Sequence, residues 1–440
     1  MTSSRKFAAA GALLLALAAC STGNLSSAPA SAAPPAPNER EAARCSGPGT
    51  TVARGITPSV PDGITVPNGF AIRIIADVAG ARQLVALPDG DLLAGTRGSD
   101  YYIVPDAEAA GAAGAPNVFA TIDDSNANGI AFAAERCTIV FATEHGVWTS
   151  PYAGGDLRAR RLTQIAKLRS GPVAPGTDGD VHVTSSVAYA GGIVYASAGS
   201  SCDATMDGGD KPCTEVDPTR AAISQMHLDG SDFKRRAHRI RNAVALTIDP
   251  LSGALWAGDA GQDRLAQGHP YEFLDDVSAH PGDTDYGWPE CEEDHRQFWA
   301  GYSCAGEDEP RVELPAYSTI VGAAFYPLHP AGPYAFPARY RGALFASGHG
   351  SWHSNGSTYA DPPRVVWIPM KGDEPAASVD WKDPAKQWRL FAGGFLPSGF
   401  NRIGRPVGIA VGPKGSLFVA DDQNGVIYRI RPTTTESSDR

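Results

Sequence analysis

The sequence predicts an all-β, six-bladed β-propeller, and three observations support this fold class. Glycine and proline supply 49 and 35 of the 440 residues, and they are spread along the chain at predicted turns. Short β-branched and aromatic runs lie between these turns, whereas strong helical patterns are nearly absent. One phrase of turn and strand recurs six times, which is typical of a propeller.

The recurring phrase consists of an apolar pair, a turn containing Pro, Asp or Gly, and a strand of alternating small and large apolar residues. Its six copies begin near residues 84, 129, 184, 243, 321 and 406. Because each blade buries its faces only against its neighbours, the ring must close, and we expect a strand at 70–78 to complete the last blade. The alternative is a β-sandwich or two small β-domains, which the even spread of the phrase disfavours.

The N-terminus has the pattern of an export signal. Arg5 and Lys6 precede an apolar run at 7–19, which is followed by Cys20. As a helix this run would rise about 20 Å, short of the roughly 30 Å hydrocarbon core, so a retained membrane helix is the weaker alternative. Residues 17–20, Leu-Ala-Ala-Cys, resemble a bacterial lipobox. We therefore expect cleavage before Cys20, acylation of its thiol, and a lipid-anchored protein in the periplasm or at the cell surface.

The remaining chain divides by composition. Residues 1–19 are the predicted secretion signal, and residues 20–45, rich in Ser, Ala and Pro, are read as the lipidated cysteine and a flexible tether. Residues 46–432 form the predicted catalytic propeller, and 433–440 a disordered tail. The formal net charge of −11 is spread along the chain, which argues against nucleic acid or an anionic surface as the main partner. Membrane contact is expected through the lipid anchor only.

The seven cysteines suggest disulfides. If Cys20 carries a lipid, an even six remain, as is common in exported proteins. Two local pairs, Cys202 with Cys213 and Cys291 with Cys304, close short loops, and Cys45 with Cys137 is then left. Six cysteines allow fifteen pairings, so this choice is one hypothesis among several. A zinc site is the alternative, although no close pair of the C-x-x-C kind is present.

Several short motifs follow one another in a fixed order. They are Asp-Val-His-Val-Thr at 180–184, Arg-Asn at 241–242, Asp-Ala-Gly-Gln-Asp at 259–263, Asp-Tyr-Gly-Trp-Pro at 285–289, His-Gly-Ser-Trp at 349–352 and Gly-Arg-Pro-Val-Gly at 404–408. The series resembles the glucose/sorbosone dehydrogenase family of soluble quinoproteins, and is most similar to its sorbosone dehydrogenase-like branch. The resemblance implies a six-bladed propeller that holds pyrroloquinoline quinone (PQQ) and calcium at one mouth of its channel. It also implies oxidation of a sugar or sugar aldehyde by hydride transfer to PQQ.

The resemblance assigns roles to individual residues. His182 falls where the family has the general base that takes the substrate hydroxyl proton, a task suited to imidazole near neutral pH. Arg241 falls beside the reactive quinone carbonyl, where a fixed cation stabilises developing negative charge, and Asn242 is placed to hydrogen-bond a quinone oxygen. Arg405 matches an arginine that binds a quinone carboxylate. His349 is expected to be a further contact of the cofactor. The structural alternatives are a histidine at a strand start and blade-start arginines paired with carboxylates.

The stretch 259–263 matches the family's calcium loop. Calcium prefers six to eight oxygen ligands, and the resemblance implies that Gly261 and Gln262 supply backbone carbonyls and that Asp263 completes the metal site. Asp259 is expected near the cofactor and adds charge. The metal is then a Lewis acid acting on the quinone.

The chain departs from the glucose enzymes at three places. Ala260 stands where those enzymes carry a cofactor-contacting Gln, and Val407 stands where they carry a second Arg. No lysine aligns near His349, where they have one. The aromatic residues Tyr286, Trp288 and Trp352 either stack on a planar ligand or pack within the blades, and the packing interpretation is favoured.

The leading interpretation is a PQQ-dependent sugar or aldose dehydrogenase that passes its electrons to an external acceptor. The first alternative is a non-enzymatic propeller lipoprotein that binds a ligand or a partner protein, because a propeller alone does not determine function. The second is a lactonase-like hydrolase, which requires a calcium ion ringed by Asp and Asn side chains from different blades. A phosphate-binding glycine loop, a nucleophile elbow and a His-Glu-x-x-His zinc motif are absent from the sequence.

Overall fold

The computed structural model describes residues 45, 53–55, 58–175, 177, 181–205, 212–262, 271–291, 297–351, 361–380, 382–399 and 401–433. All of them belong to a unit that spans Ala36–Arg440. The expected signal at 1–19, the expected lipidation site Cys20 and the segment 434–440 of the expected tail lie outside the described residues. No helix among the described residues is both long enough and apolar enough to span a membrane.

The described residues form an almost entirely β structure. In chain order the strands are β1 (Phe70–Asp77), β2 (Ala81–Ala86), β3 (Leu92–Thr96), β4 (Asp100–Val104), β5 (Asn117–Thr121), β6 (Gly129–Ala133), β7 (Thr138–Ala142), β8 (Gly146–Pro151), β9 (Thr163–Lys167), β10 (Val187–Ala190), β11 (Ile193–Ala198), β12 (Ala222–His227), β13 (Lys234–His238), β14 (Ala243–Ile248), β15 (Leu255–Asp259), β16 (Glu272–Asp276), β17 (Thr284–Asp285), β18 (Val312–Leu314), β19 (Ile320–Phe325), β20 (Leu344–Gly348), β21 (Arg364–Ile368), β22 (Met370–Lys371), β23 (Glu374–Pro375), β24 (Arg389–Ala392), β25 (Pro406–Val411), β26 (Leu417–Asp421) and β27 (Val426–Pro432). Short 3-10 helices lie at Ala134–Arg136, Val277–Ala279, Ala338–Tyr340 and Pro384–Lys386.

Among the described residues, six sheets of four or five strands are the blades of the predicted propeller, and β22 and β23 form a separate two-stranded sheet. Blades 1 to 5, numbered along the chain, have β2, β6, β10, β14 and β19 as their innermost strands, and blade 6 has β25. These strands begin within a few residues of the six predicted copies of the sequence phrase, so the predicted fold class is confirmed.

The ring closes through the N-terminal strand. β1 pairs antiparallel with β27, from Phe70 opposite Pro432 to Asp77 opposite Val426, and so becomes the outer strand of blade 6. This pairing confirms the expectation for residues 70–78. Because the first and last strands share one sheet, the blade that closes the ring is held by backbone hydrogen bonds as well as by packing.

Apolar side chains are buried between adjacent blades. The second strands β3, β15, β20 and β26 are buried along their whole length, since both of their faces meet neighbouring sheets. Small residues set the spacing of the inner strands: a Cβ added at Gly408 would lie 2.1 Å from the carbonyl oxygen of Arg82, and one at Gly322 would lie 2.1 Å from that of Val407. The glycines of this phrase therefore allow adjacent blades to approach closely around the axis.

The six inner strands line a central cavity of about 250 Å³ with mostly aliphatic walls. Each inner strand starts beside the end of the second strand of its blade, as in the pairs Ala81 with Thr96 and Val187 with Ala196. The segments before the inner strands and after the second strands thus gather at one end of the channel. We call this end the upper mouth.

Three disulfides are present, and they are the predicted pairs. Cys45 bonds Cys137 with Cα atoms 5.4 Å apart, which ties the segment preceding the propeller to blade 2. Cys202–Cys213 and Cys291–Cys304, with Cα separations of 6.2 and 5.9 Å, each close a short loop inside a long insertion. The second insertion adds β17 in parallel to β13 as a fifth strand of blade 3. These six cysteines are therefore paired with one another, in place of a zinc site.

Candidate active site

The upper mouth brings together the predicted site residues that the structure describes. His182 precedes β10, Arg241 and Asn242 precede β14, and Arg405 precedes β25. A second set lies at or just after the ends of the second strands of blades 4 and 5: Asp259, Gly261, Gln262 and His349. Asp263, the remaining predicted metal ligand, lies outside the described residues. These residues are far apart in the sequence, but the repeating blade places each of them at the same end of the channel.

His182 is a buried, neutral imidazole. Its Nδ1 lies 2.7 Å from the carbonyl oxygen of Ser200. A carbonyl can only accept, so Nδ1 carries the hydrogen and Nε2 keeps a lone pair. Burial, followed by the positive charge of Arg241, lowers the pKa of His182 well below its usual value. Nε2 has no hydrogen-bond partner among the described residues, and it can therefore accept a proton from a bound molecule.

The segment that carries His182 is fixed by a buried arginine. Nη2 of Arg169 donates to the carbonyl oxygens of His182 and Thr184 at 2.7 and 3.0 Å, and Nη1 donates to the carbonyl oxygen of Glu144 at 2.6 Å. These bonds join blade 2 to the start of blade 3. Sequence reasoning missed Arg169, because a single arginine after a strand has the same pattern as a solvated turn.

Gly199 allows His182 and Asn242 to lie against the same stretch of backbone. A Cβ at position 199 would come within 2.4 Å of the His182 Cβ and 2.6 Å of the Asn242 Oδ1. The Asn242 Oδ1 is buried and has no hydrogen-bond partner among the described residues. Since buried polar atoms are nearly always satisfied, an unpaired acceptor beside the candidate base is a favourable contact for a bound polar group.

The Arg241 guanidinium is fixed by hydrogen bonds to two neighbouring segments, at Asp203 and Ala260. Its Nε and Nη2 donate to the carbonyl oxygen of Asp203 at 3.0 and 2.8 Å, and Nη2 also lies 2.9 Å from the Asp203 Oδ1. Nη1 donates to the carbonyl oxygen of Ala260 at 2.7 Å, and the guanidinium lies 5.5 Å from the ring centre of Trp288. The structural alternative, an arginine paired with a carboxylate, therefore accounts for one of these four hydrogen bonds, and the other three are to backbone carbonyl oxygens. Its charge nevertheless lies close enough to influence His182.

The two aromatic residues of the Asp-Tyr-Gly-Trp-Pro motif pack inside the protein. Tyr286 stacks on Phe273 with ring centres 5.3 Å apart, and its hydroxyl donates to Asp275 at 2.6 Å. Trp288 donates from Nε1 to the Ser200 Oγ at 3.1 Å. The packing interpretation is confirmed for Tyr286, while Trp288 supports the backbone segment that holds His182. Trp352 lies outside the described residues.

Asp259 and Gln262 present unpaired polar atoms. The Asp259 Oδ1 accepts a hydrogen bond from the Asn242 amide, but its buried Oδ2 has no partner among the described residues. Burial raises the pKa of Asp259 to about 7, although this amide and the Arg241 charge oppose the shift. The Gln262 Oε1 accepts from the Thr205 amide at 3.1 Å, and its buried Nε2 is unpaired among the described residues. The unpaired oxygens of Asn242 and Asp259 have the donor chemistry that calcium prefers, so these side chains fit a cation and a polar cofactor.

The opposite side of the mouth is organised around Asp422. Its Oδ1 lies 2.8 Å from the His349 Nε2, and its Oδ2 lies 2.9 Å from the Arg82 Nη1 and 3.5 Å from the Arg97 Nε. Burial alone raises the pKa of Asp422, but the hydrogen bond to His349 and the charges of Arg82 and Arg97 reverse this and lower it overall. Burial lowers the pKa of His349 to about 4 despite the adjacent carboxylate.

Arg82 extends across the top of the channel. Besides Asp422 on blade 6, it donates from Nε to the Asn128 Oδ1 on blade 2 at 3.2 Å and from Nη2 to the Thr184 Oγ1 on blade 3 at 3.2 Å. A lactonase-like site requires such Asp and Asn oxygens to surround a calcium ion. In this protein Asn128 and Asp422 hydrogen-bond a guanidinium, which disfavours that alternative.

Arg405 lies beside this network. It donates from Nε and Nη2 to the carbonyl oxygens of His349 and Gly350 at 2.9 and 3.0 Å. Burial lowers its pKa to about 10 in spite of the Asp422 charge. Val407, which replaces a second arginine of the glucose enzymes, is 1% exposed and packs between blades 6 and 1. Position 407 thus belongs to the apolar wall between the blades.

Comparisons with known proteins agree with this architecture. No protein-family model matches the chain. A curated relative from Borreliella burgdorferi, an uncharacterised protein, is 26% identical over 215 residues, which are 48% of this chain and 52% of the relative. The chain therefore spans about half the length of that relative.

Solved structures match almost the whole propeller. The PQQ domain of pyranose dehydrogenase from Coprinopsis cinerea, in its holo form, matches with a TM-score of 0.67 and 19% identity over 85% of this chain and 98% of that domain. A calcium structure of a Trichoderma reesei enzyme of carbohydrate-active family AA12 gives 0.66 and 15%, over 88% and 100%. The chain has the propeller fold of these proteins. The soluble aldose sugar dehydrogenase of Escherichia coli also matches, with 0.54 and 14% over 82% and 99%, and the fold implied by the sequence motifs is thus confirmed.

Proposed function

We propose that this protein is a PQQ-dependent dehydrogenase that oxidises a sugar or a related alcohol at the upper mouth. The observation that carries the proposal is the buried His182 at the upper mouth, whose Nδ1 donates to the Ser200 carbonyl oxygen and whose Nε2 is unpaired among the described residues, at the same mouth as Asn242, Asp259 and Arg405. The fold that the chain shares with a holo PQQ domain and with aldose sugar dehydrogenase supports the choice of cofactor and substrate class.

The chain's own residues supply the proton chemistry. The His182 Nε2 accepts the proton of the substrate hydroxyl. The Nδ1 hydrogen stays on its nitrogen and is donated to the Ser200 carbonyl oxygen, and this hydrogen bond keeps the ring oriented. The nearby Arg241 disfavours the imidazolium, so the proton passes readily from His182 to solvent at the mouth. When bound, PQQ supplies the two-electron oxidant, and calcium supplies a Lewis acid that polarises it.

Two groups of residues are proposed to hold the cofactors. Asn242, Asp259 and Arg241 would hold the quinone beside His182, and His349 and Arg405 would hold its carboxylate groups. The calcium ligands are proposed to come from the loop after β15, namely Gly261, Gln262 and Asp263. The unpaired oxygens of Asn242 and Asp259 support a polar or cationic occupant at this position.

The proposed location follows from the N-terminal sequence. A protein that is exported and anchored by an acylated Cys20 in the periplasm or at the cell surface meets extracellular sugars and an electron acceptor outside the cytoplasm. The lipid anchor is then its membrane contact. Replacing the anchor residue, Cys20→Ala, is expected to move the full-length protein from the membrane fraction to the soluble fraction, and unchanged attachment contradicts the lipobox.

The test is a titration of the full-length protein with PQQ in the presence and absence of calcium, followed by absorbance. Saturable binding that requires calcium is expected, together with reduction of a dye acceptor when aldoses are added. A matched experiment with Arg405→Gln is expected to weaken PQQ binding about tenfold, because a buried charge-assisted contact is lost. If wild-type protein binds no PQQ at high micromolar concentration, the dehydrogenase proposal fails and the ligand-binding propeller becomes the better explanation.

A further inference from the structure

Positive charge is concentrated on one side of the upper mouth. Arg82, Arg97, Arg402 and Arg405 all lie in the segments that meet where blades 5, 6 and 1 adjoin. The carboxylates within this group are Asp422 and its neighbour Asp421, and His349 is uncharged near neutral pH because burial lowers its pKa to about 4. Four guanidinium groups therefore face two carboxylates. We call these four residues the arginine cluster.

The two carboxylates beside the arginine cluster, Asp421 and Asp422, already accept several hydrogen bonds each. Asp421 accepts through Oδ1 from the backbone amides of Arg405, Gln423 and Asn424, and through Oδ2 from the Tyr428 hydroxyl and the Asn424 side chain. Asp422 is shared between His349 and two arginines. Neither carboxylate has the capacity to neutralise the whole cluster.

Two members of the cluster have N–H groups that the described residues do not fully use as hydrogen-bond donors. The side chain of Arg97 is 52% exposed, and its one ion pair among the described residues is the long 3.5 Å approach of Nε to the Asp422 Oδ2. Arg402 donates from Nη2 to the Ser351 carbonyl, while its buried Nε has no partner among the described residues. By contrast, Arg82 makes three side-chain hydrogen bonds and is buried. Arg97 is therefore open to a ligand from solvent, and Arg402 holds a buried donor that no described residue satisfies.

The chemistry of these donors selects the ligand. A guanidinium presents a planar fork of N–H groups that matches a carboxylate, and such charge-assisted bonds are about twice as strong as neutral ones. An added anion also relieves the repulsion among four neighbouring guanidinium groups, since opposite charges at short range stabilise the charged form. We infer that Arg97 and Arg402 bind the carboxylate groups of an organic anion at the arginine cluster.

This inference deepens the proposed function and rests on it for one of two sources of the carboxylate. The first source is PQQ itself, which is a tricarboxylate, and Arg97 and Arg402 then provide cationic anchoring that position 407 does not. The second source is an acidic sugar substrate, such as a uronate. Both sources share the chemistry that the cluster recognises, and binding measurements distinguish them.

The main experiment compares PQQ affinity, by absorbance titration with calcium, among full-length Arg97→Gln, Arg402→Gln and wild-type proteins. Each substitution is expected to weaken binding about tenfold, and Arg97→Lys is expected to recover part of the loss. Arg160→Gln is the matched control, since Arg160 is 57% exposed and pairs with one aspartate, Asp156, in the β8–β9 connection away from the upper mouth. Added salt is expected to weaken wild-type binding more than that of the variants.

The second measurement identifies the source. If PQQ affinity is unchanged but the KM for glucuronate rises about tenfold relative to that for glucose in Arg97→Gln, the carboxylate belongs to the substrate. If neither value differs from that of Arg160→Gln, the inference is wrong. Should wild-type protein bind no PQQ, the proposed function fails and calorimetric titration with benzene-1,3,5-tricarboxylate decides the inference alone. Binding that Arg97→Gln weakens supports it, and absence of binding overturns it.

Discussion

The two sides of the upper mouth each bury a carboxylate but shift its pKa in opposite directions. On the side of blades 3 and 4, burial raises the pKa of Asp259 to about 7 and lowers that of His182, so both groups are shifted toward their neutral forms. On the side of blades 5, 6 and 1, the Asp422 side chain is also buried, but a histidine and two arginines lower its pKa overall. Neighbouring charges, rather than burial alone, therefore decide the protonation state.

The two sides of the upper mouth are therefore suited to different functions. A neutral imidazole with an unpaired nitrogen transfers protons, whereas a cluster of fixed cations binds and orients an anion. Arg82 connects the two sides, because it contacts Asp422 on blade 6 and Thr184 on the segment that carries His182. If the comparison holds, substitutions on the first side change turnover, and substitutions on the second change ligand affinity and stability.

The largest effect is expected for His182→Ala in the PQQ-loaded protein. Turnover should fall about 10²- to 10⁴-fold, because the general base is lost, while PQQ affinity stays near the wild-type value. Burial and the Arg241 charge place the His182 pKa well below 6.5, so wild-type kcat should stay level above that pH and fall on acidification. Dye-linked kinetics from pH 4 to 8 measure both effects, with the exposed His227→Gln as control. Full turnover in His182→Ala would falsify the base assignment.

The sequence predicted the blades well because each blade repeats an apolar pair, a turn containing Pro, Asp or Gly, and an apolar strand. The disulfides were predicted because an even number of cysteines left two short loops. The pattern of His182, Asn242 and Arg405 at blade starts was accessible for the same reason, since a repeating blade returns each start to one mouth. Arg82, Arg97 and Asp422 were not identified, because isolated charged residues in turns look solvated until the ring closure places blade 1 beside blade 6.

The second effect concerns stability. Asp422→Asn is expected to lower the free energy of unfolding by about 3–5 kcal/mol, because it leaves Arg82 buried without its carboxylate. The double variant Arg82→Gln with Asp422→Asn should lose less than the sum of the single losses, since it removes both charges. Urea unfolding measures these values. Asp106→Asn, which breaks the exposed pair with Arg54, is the control and should cost no more than about 1 kcal/mol. Equal losses for Asp422→Asn and Asp106→Asn contradict the buried ion-pair network.

The third effect tests the contact between His182 and Asn242. Gly199→Ala is expected to lower stability by about 1–3 kcal/mol and to reduce kcat, because the new methyl group displaces His182 or Asn242. Gly98→Ala is the matched control at the same mouth, since its Cβ would meet the Thr96 Oγ1 at an ordinary 3.6 Å. Thermal unfolding and kinetics of both variants provide the comparison. A Gly199→Ala protein with unchanged stability and kcat is inconsistent with this packing.

The smallest effect concerns Glu272, which lies on the blade 4 side of the mouth. It is buried and accepts a hydrogen bond from the Ile320 amide at 2.9 Å, and burial raises its pKa from 4.5 to about 8. Because the folded pKa is raised, its contribution to stability is complete below pH 4.5 and is lost as pH rises through about 8. Glu272→Gln removes this titration, so the stability of the variant relative to wild type should increase by at least about 1 kcal/mol between pH 5 and 9. Urea unfolding at several pH values measures the difference, with the exposed Glu135→Gln as control. A difference that does not change with pH shows that burial leaves Glu272 charged, and the contrast between the two sides of the mouth then fails at this residue.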